Sequence, residues 1–337
     1  MSEEQRIILD MLREGKITVD EAQRLLEALR DGQAGQPGRQ EPRLGRGEPR
    51  SIVGEIVETI RSGLSNFSFS FGDTGRIVLE ESHSGQFSTD RPRLELDVRN
   101  GSIGIDAWDE EEFRLEIVKK VIAGTREQAE AMVSGMRFAD FDGHTLRAGD
   151  QESRNLGNRV SVSLRLLLPR ARVYSGLAHS KNGSLDIGGI DMDEFDARTM
   201  NGSVRFSKTS GQAITVRTIN GSLRLDGGLG RVDAKTTNGS ITLVNIAEDS
   251  NMRLETVNGR IVVQLPMRDD IGIAVRARTT SGSVRLNHPG LETRYEERRM
   301  TGGRSVEAGT LNWQNAGHRI ELNLRSVNGS IQINPLE

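Results

Sequence analysis

Ala197-Arg198-Thr199-Met200-Asn201-Gly202-Ser203-Val204-Arg205-Phe206 is one copy of a unit that repeats through the second half of the chain. Its centre, Asn-Gly-Ser, returns at Asn182, Asn201, Asn220, Asn238 and Asn328. Near-copies begin at Asn258 (Asn-Gly-Arg) and Ser281 (Ser-Gly-Ser), and an outlier begins at Asn100. Starts at 182, 201, 220, 238, 258 and 281 are spaced by 19, 19, 18, 20 and 23 residues. The last gap, 281 to 328, is 47, which reads as two periods plus an insertion. A fixed period of about 20 residues marks stacked units, each too thin to bury a core alone.

The flanks of the tripeptide repeat as well. Ala197, Thr199, Val204 and Phe206 correspond to Val216, Thr218, Leu223 and Leu225, then to Ala234, Thr236, Ile241 and Leu243. Apolar or hydroxyl residues alternate with polar ones, the period of a half-buried strand. Asn-Gly interrupts the strand with a turn, because both residues tolerate positive φ. Two geometries fit. In an antiparallel array of hairpins, Thr199 faces Val204 across the turn. In a parallel β-solenoid, Asn-Gly-Ser is a corner, and Asn182, Asn201, Asn220, Asn238, Asn258 and Asn328 stack as a ladder. The solenoid is preferred, since identical residues at identical phase are what coil-on-coil stacking rewards. Ser180, Thr199, Thr218, Thr236, Thr256, Thr279 and Ser326 form a second such column.

The chain is therefore expected to be mostly β: a single-stranded parallel β-solenoid (β-helix) over 73–337, preceded by small helical elements. Residues 1–31 read as a helical hairpin with stripes including Ile8, Met11 and Leu12, then Leu25, Leu26 and Leu29. Gly15 ends the first helix, and Thr18 with Glu21 forms a capping box for the second. So short a pair buries little surface alone, which points to self-association or a protein partner through 1–31. Residues 32–50, with three Pro and five Gly, read as a flexible linker. Residues 51–72 supply an amphipathic helix and capping segment, with Ile52, Val53, Ile56, Val57, Ile60 and Leu64 on one stripe. Between the first turn at Asn100 and the regular repeats, strands are expected near 113–122, 143–148 and 159–168, with a helix over 125–133. The stretch 295–309 is expected to be a loop or an atypical final coil.

Composition narrows the chemistry. With 45 basic and 48 acidic residues the net charge is −3, so no global field favours nucleic acid. Cysteine is absent, which removes thiolate metal sites, disulfides and cysteine nucleophiles. The five histidines show no metal-ligand spacing, and no phosphate-binding or dinucleotide motif occurs. Neither a catalytic residue, a cofactor nor a metal is assigned. A polysaccharide-active β-helix enzyme is the weaker alternative, resting on Asp193, Glu194 and Asp196 and on Asp269 and Asp270 beside turns. Outward positions beside the turns carry Arg198, Arg205, Arg217, Arg224, Arg278 and Arg285, a candidate binding stripe for an anionic envelope component. Met1-Ser2-Glu3-Glu4 is acidic with no apolar region after it, and no run is long enough to span a membrane. The expected location is cytoplasmic, with peripheral membrane contact or surface exposure as alternatives.

Glu14-Gly15-Lys16-Ile17-Thr18-Val19-Asp20-Glu21-Ala22 followed by Leu25-Leu26-Glu27-Ala28-Leu29, together with the Asn-Gly-Ser-aliphatic repeats, resembles the YvlB/LiaX-like bacterial proteins. These join a short helical hairpin to an adhesin-like β-strand-repeat domain. The resemblance covers most of 1–31 and 94–335. It implies a β-solenoid and a regulatory link to cell-envelope stress or antimicrobial-peptide sensing, and it implies no catalytic residues. The expected function is a non-enzymatic binding scaffold, with a self-assembling structural or adhesin-like scaffold as the alternative.

Overall fold

The computed structural model describes residues 75–298 and 302–336. The expected helical hairpin (1–31), linker (32–50) and amphipathic helix (51–72) lie outside the described residues. The chain begins with β1 (Arg76–Gly85), β2 (Arg93–Asn100), β3 (Ile103–Trp108), β4 (Phe113–Ile122), helix α1 (Arg126–Val133), β5 (Ala139–Phe141), β6 (Thr145–Gly149) and β7 (Val160–Pro169). The repeats follow as β8 (Val173–Asn182), β9 (Leu185–Gly188), β10 (Asp191–Asn201), β11 (Val204–Arg217), β12 (Leu223–Asn238), β13 (Ile241–Asn245), β14 (Ser250–Asn258), β15 (Ile261–Leu265), β16 (Ile271–Ser281) and β17 (Val284–Leu286). The chain closes with β18 (Glu292–Arg298), β19 (Arg304–Gly309), β20 (His318–Asn328) and β21 (Ile331–Pro335).

The protein is mostly β, and its repeats stack in parallel. Thr199 pairs with Ser180 on the neighbouring coil and Val204 with Leu185 and Leu223, not with each other across the turn. This register rules out the hairpin array. Each coil contributes one strand before its Asn-Gly-Ser corner to a sheet A, and one strand after it to a sheet B. Strands β11 and β12 are long because each runs through the opposite corner from sheet B of one coil into sheet A of the next, with a bulge between Phe206 and Thr209. The glycine-rich run Asp226–Gly230 lies on this second corner, within β12.

Alternation places one side chain of every pair between the sheets. Ala197, Val216, Ala234, Leu254 and Leu324 line up from sheet A, and Val204, Leu223, Ile241, Ile261 and Ile331 from sheet B, all with at most 1% exposure. Such a ladder of aliphatic side chains is the core of a thin two-sheet stack.

The corners explain the recurring tripeptide. Asn side chains chain from coil to coil: Nδ2 of Asn201 donates to Oδ1 of Asn182, Asn220 to Asn201 and Asn238 to Asn220, each at 2.8 Å. Asn258 and Asn328 extend the ladder at 2.9 Å. The hydroxyl column turns inward. Thr199, Thr218, Thr236 and Thr256 each donate at 2.9 Å to the corner glycine carbonyl of the preceding coil. Positive φ, however, is not the reason for Asn-Gly. Lys208 is the only non-glycine residue with positive φ among the described residues, so the ladder asparagines are not left-handed. Gly202, Gly221, Gly239 and Gly259 are likewise outside that region. What they need is space: a Cβ on Gly221 would stand 1.9 Å from the Gly202 carbonyl oxygen, and the same holds at Gly239 and Gly259.

The stack does not follow chain order at its end. The last coil, β20 and β21, lies between β14–β15 and β16–β17, parallel to both. The 47-residue gap therefore contains no further coil. It holds an antiparallel pair, β18 and β19, of which β19 pairs with β16, so within 295–309 residues 295–298 and 304–309 are strands, in place of the expected loop or atypical final coil. At the other end, sheet A closes on β6 and antiparallel β5, and sheet B on β7, parallel to β3, followed by antiparallel β4 and β1. Helix α1 is N-capped by Thr125, whose hydroxyl accepts from the Gln128 N–H. Phe87, Phe113, Phe141 and Tyr174 pack edge-on beneath this cap.

A charged latch marks where the last coil enters. His318 Nδ1 lies 2.8 Å from Asp249 and Nε2 3.2 Å from Glu248, and the Arg319 N–H donates to Asp249. The Asp249 hydrogen bond, helped by the charges of Glu248, Asp249 and Asp270, raises the His318 pKa above its ordinary 6.5, against desolvation.

Two expectations follow from these contacts. Gly221→Ala should cost about 3 kcal/mol or more in a denaturant titration, while Gly317→Ala, with open space at its Cβ, should stay within about 0.5 kcal/mol. A raised folded-state pKa stabilises below the unfolded value and is lost as pH rises through the folded one. The Tm advantage of the native protein over His318→Gln should therefore be largest near about pH 6 and shrink by about pH 8. A pH-independent difference would show that the latch does not act through the imidazolium.

Candidate binding face on sheet A

The outward side of sheet A is built by the same period as its core. One row runs His179, Arg198, Arg217, Lys235, Glu255, Arg325, Arg278, each the register partner of the next. Two residues earlier on each strand the row reads Leu177, Asp196, Thr215, Asp233, Arg253, Asn323, Arg276. Two residues later, beside the corner, come Lys181, Met200, Ile219, Thr237, Val257, Val327 and Thr280. Across these rows there are eight lysines and arginines against three carboxylates. The corner row is apolar in its middle and still open to water: Met200 is 42%, Ile219 43% and Val257 39% exposed.

The six arginines of the sequence stripe do not lie together. Arg198 and Arg217 are adjacent on sheet A, and Arg278 sits at the far end of the same row. Arg205 and Arg224 are adjacent to each other on sheet B, and Arg285 is at that sheet's last strand. The Asn-Gly-Ser corner separates the two groups, because alternation carries the outward position onto a different sheet on either side of the turn. Lys235, Glu255 and Arg325 complete the row that Arg198 starts. The apolar corner row was overlooked, although the residue just before each Asn repeats with the same period.

Part of the positive charge is answered internally. Arg198 Nε donates to Asp196 at 2.7 Å, Arg217 is 3.4 Å from Asp233, and Lys235 is 3.3 Å from Glu255. Arg253 also donates to Glu255 at 2.7 Å. Partial burial pushes Glu255 and Asp196 upward, but these hydrogen bonds, with His179 beside Asp196, outweigh it and hold both below their ordinary values. Toward the far end the balance changes. Among the described residues, Arg325 and Arg278 have no carboxylate partner. On sheet B, Arg205 is answered by Asp186, 3.5 Å away, whose pKa burial raises against the pull of that arginine.

Side chains on this face enclose three adjoining depressions. The first, of about 640 Å³, is lined by His179, Arg198, Arg217, Lys235 and Arg325 with Met200, Ile219, Val257 and Val327. The second, of about 340 Å³, shares Glu255 and Arg325 and adds Arg253, Arg278 and Arg304. The third, of about 410 Å³, shares Asn323 and ends at Trp313, with Arg276, Arg294, Glu307 and Glu321. Together they make a groove across the coils. Of the other acids named from sequence, Asp193 pairs with Arg91 and Asp270 with Arg268. Among the described residues no cluster of His or acids has metal-ligand geometry, and no helix is long and apolar enough to cross a membrane.

Comparison with known proteins adds the following. The family model described as Toastrack DUF4097 matches residues 173–334, the repeats from the second coil onward. A SHOCT-like domain model matches residues 3–34. No curated protein matches the chain. Among solved structures the chain is similar to a "putative cell adhesion protein" from Clostridium sporogenes, at 11% identity and a TM-score of 0.33, covering 77% of this chain and 100% of that one. It is similar to a "putative adhesin" from Bacteroides fragilis at 12% identity and a TM-score of 0.36, covering 77% and 97%. It is also similar to a "putative lipid binding protein" from Parabacteroides distasonis at 10% identity and a TM-score of 0.24, covering 77% and 97%.

Exposed ion pairs of this kind contribute at most about 1 kcal/mol each. Asp196→Asn and Asp233→Asn should accordingly leave the unfolding midpoint nearly unchanged while making the face more cationic. A large loss of stability would mean that the row is structural.

Proposed function

We propose that the repeat unit is a non-enzymatic scaffold that docks on an anionic lipid surface of the cell envelope through the outer face of sheet A. The observation that carries this reading is the cationic excess on that face, edged by the exposed apolar row of Met200, Ile219 and Val257. A basic residue near an anionic leaflet adds about 1 kcal/mol. Arg276 is answered by Glu307 at 3.7 Å, so the net excess of four charges gives about 4 kcal/mol, a roughly millimolar affinity that the apolar row strengthens. The ion pairing of Asp193, Asp196 and Asp270 speaks against catalysis by those acids. The self-assembling alternative is disfavoured by the sheet ends. Sheet A ends on β18, whose Glu292–Arg298 sequence is mostly charged, and Arg304 donates to the Val284 carbonyl on the last strand of sheet B. A regulatory role in envelope stress, with a protein partner recruited through 1–31, is supported by the YvlB/LiaX-like sequence resemblance.

Flotation of the full chain with vesicles tests the docking face. Binding is expected to phosphatidylglycerol-rich vesicles, to fall with added salt, and to be absent on phosphatidylcholine. Arg198→Glu with Arg217→Glu should weaken it at least about tenfold, whereas Arg205→Glu with Arg224→Glu on sheet B should not. Equal binding by both variants, or equal binding to both vesicles, would sink the assignment.

A further inference from the structure

The cationic excess on sheet A is not uniform, and its densest point is a pocket. Arg278 and Arg325 are direct register partners on adjacent parallel strands. Strands in a sheet lie about 4.8 Å apart, so two like charges stand side by side there, an arrangement that is destabilising unless something answers it. No carboxylate of the described residues does. Glu255 is next in the row after Arg325, but it accepts from Arg253 and pairs with Lys235 instead. The second depression holds both arginines together with Arg253 and Arg304, and Thr280 and Ser305 bring hydroxyls to its wall. Three outward guanidiniums therefore share the space with a single carboxylate, while Arg304, register partner of the inward Thr279, borders it from the core side.

The two outer guanidiniums are held in place. Arg304 is fixed from below by its donation to the Val284 carbonyl at 3.0 Å and its pair with Glu296 at 3.0 Å. Arg253 is fixed by Glu255 at 2.7 Å. The remaining pair, Arg278 and Arg325, is left to turn its donors toward a guest. Guanidinium forks match oxyanions in bidentate geometry, and a tetrahedral oxyanion offers more acceptor positions than a carboxylate to two forks and two hydroxyls.

We propose that the pocket between Arg253, Arg278 and Arg325 is a discrete phosphate-group site within the sheet A face. The inference rests on the docking reading above and sharpens it, from diffuse attraction to capture of one head-group phosphate at the end of the stack built by the inserted coil. A free phosphate and a lipid phosphate present the same chemistry to the pocket.

Titration of the full chain with inorganic phosphate at constant ionic strength, followed by calorimetry, tests the site directly. Saturable binding is expected, with acetate binding more weakly. Arg278→Gln with Arg325→Gln should lower phosphate affinity about tenfold or more, the loss of at least one hydrogen bond to a charged group. Arg198→Gln with Arg217→Gln, which removes the same charge outside the pocket, should leave it unchanged. Should the first variant fold poorly, Arg278→Lys keeps the charge while removing the fork, and should still weaken phosphate binding several-fold. Equal losses in the two double variants, or binding that never saturates, would overturn the site and leave diffuse attraction. Flotation on vesicles bearing phosphatidic acid then distinguishes the sources. Phosphate binding without vesicle binding would keep this site and remove the membrane reading. Vesicle binding unaffected by Arg278→Gln with Arg325→Gln would keep the membrane reading and remove this site.

Discussion

The rest of the stack depends on how closely one Asn-Gly-Ser corner approaches the next. At each Asn-Gly-Ser, the glycine of one coil rides on the glycine carbonyl of its neighbour, with no room for a Cβ between them. Three polar groups use that proximity. The corner N–H of Gly202 donates to Asn220 of the next coil, as Gly221 does to Asn238. The Thr hydroxyl bonds the glycine carbonyl of the preceding coil, and the Asn amides bond each other. Backbone groups that a turn would otherwise leave open are thus satisfied within the stack. The aliphatic rows between the sheets can interdigitate because the corners hold every coil in one register. The outward rows inherit that register, which is how single arginines and aliphatic residues, scattered at intervals of about 20 along the chain, become continuous rows in space.

The repeats themselves were legible in the sequence. Period-two alternation identified the strands, and the recurrence of Thr and Asn at one phase pointed to parallel coils rather than hairpins. The reason for glycine was not legible. Asn-Gly suggests a left-handed turn, yet Gly202 and Gly221 are required by the approach of another coil, information carried by a residue about 19 positions away. The face of each arginine was only half legible. Arg198 and Arg205 both point outward, but a corner lies between them, and alternation alone does not say how far a corner rotates the sheet. Ile219 and Val257 share one row only through the register of the neighbouring strands.

The order of coils was hidden for a different reason. Sequence spacing counts residues between corners, and stacking is decided by which edges pair. Ser281 and Asn328 are neighbours in the ladder even though 47 residues separate them. Inserting the last coil brings Arg325 beside Arg278, so the uncompensated cationic pair exists only because of that crossover. The His318 contacts with Glu248 and Asp249 lie at the start of the same coil. Charge on this protein is therefore organised by topology more than by composition, whose net value of −3 gives no hint of a cationic face.

The inserted coil also bears on how the chain matures. A solenoid whose coils stack in chain order can grow as it is made, each unit covering the edge of the one before it. Here β14 and β16 are synthesised before β20, and both must wait for it. Until His318–Asn328 arrives, the two sides of an empty slot present unpaired, apolar strand edges of the kind that invite wrong partners. The stack is thus a queue for most of its length and a lock at one end, and the lock closes with a segment made after both of its neighbours.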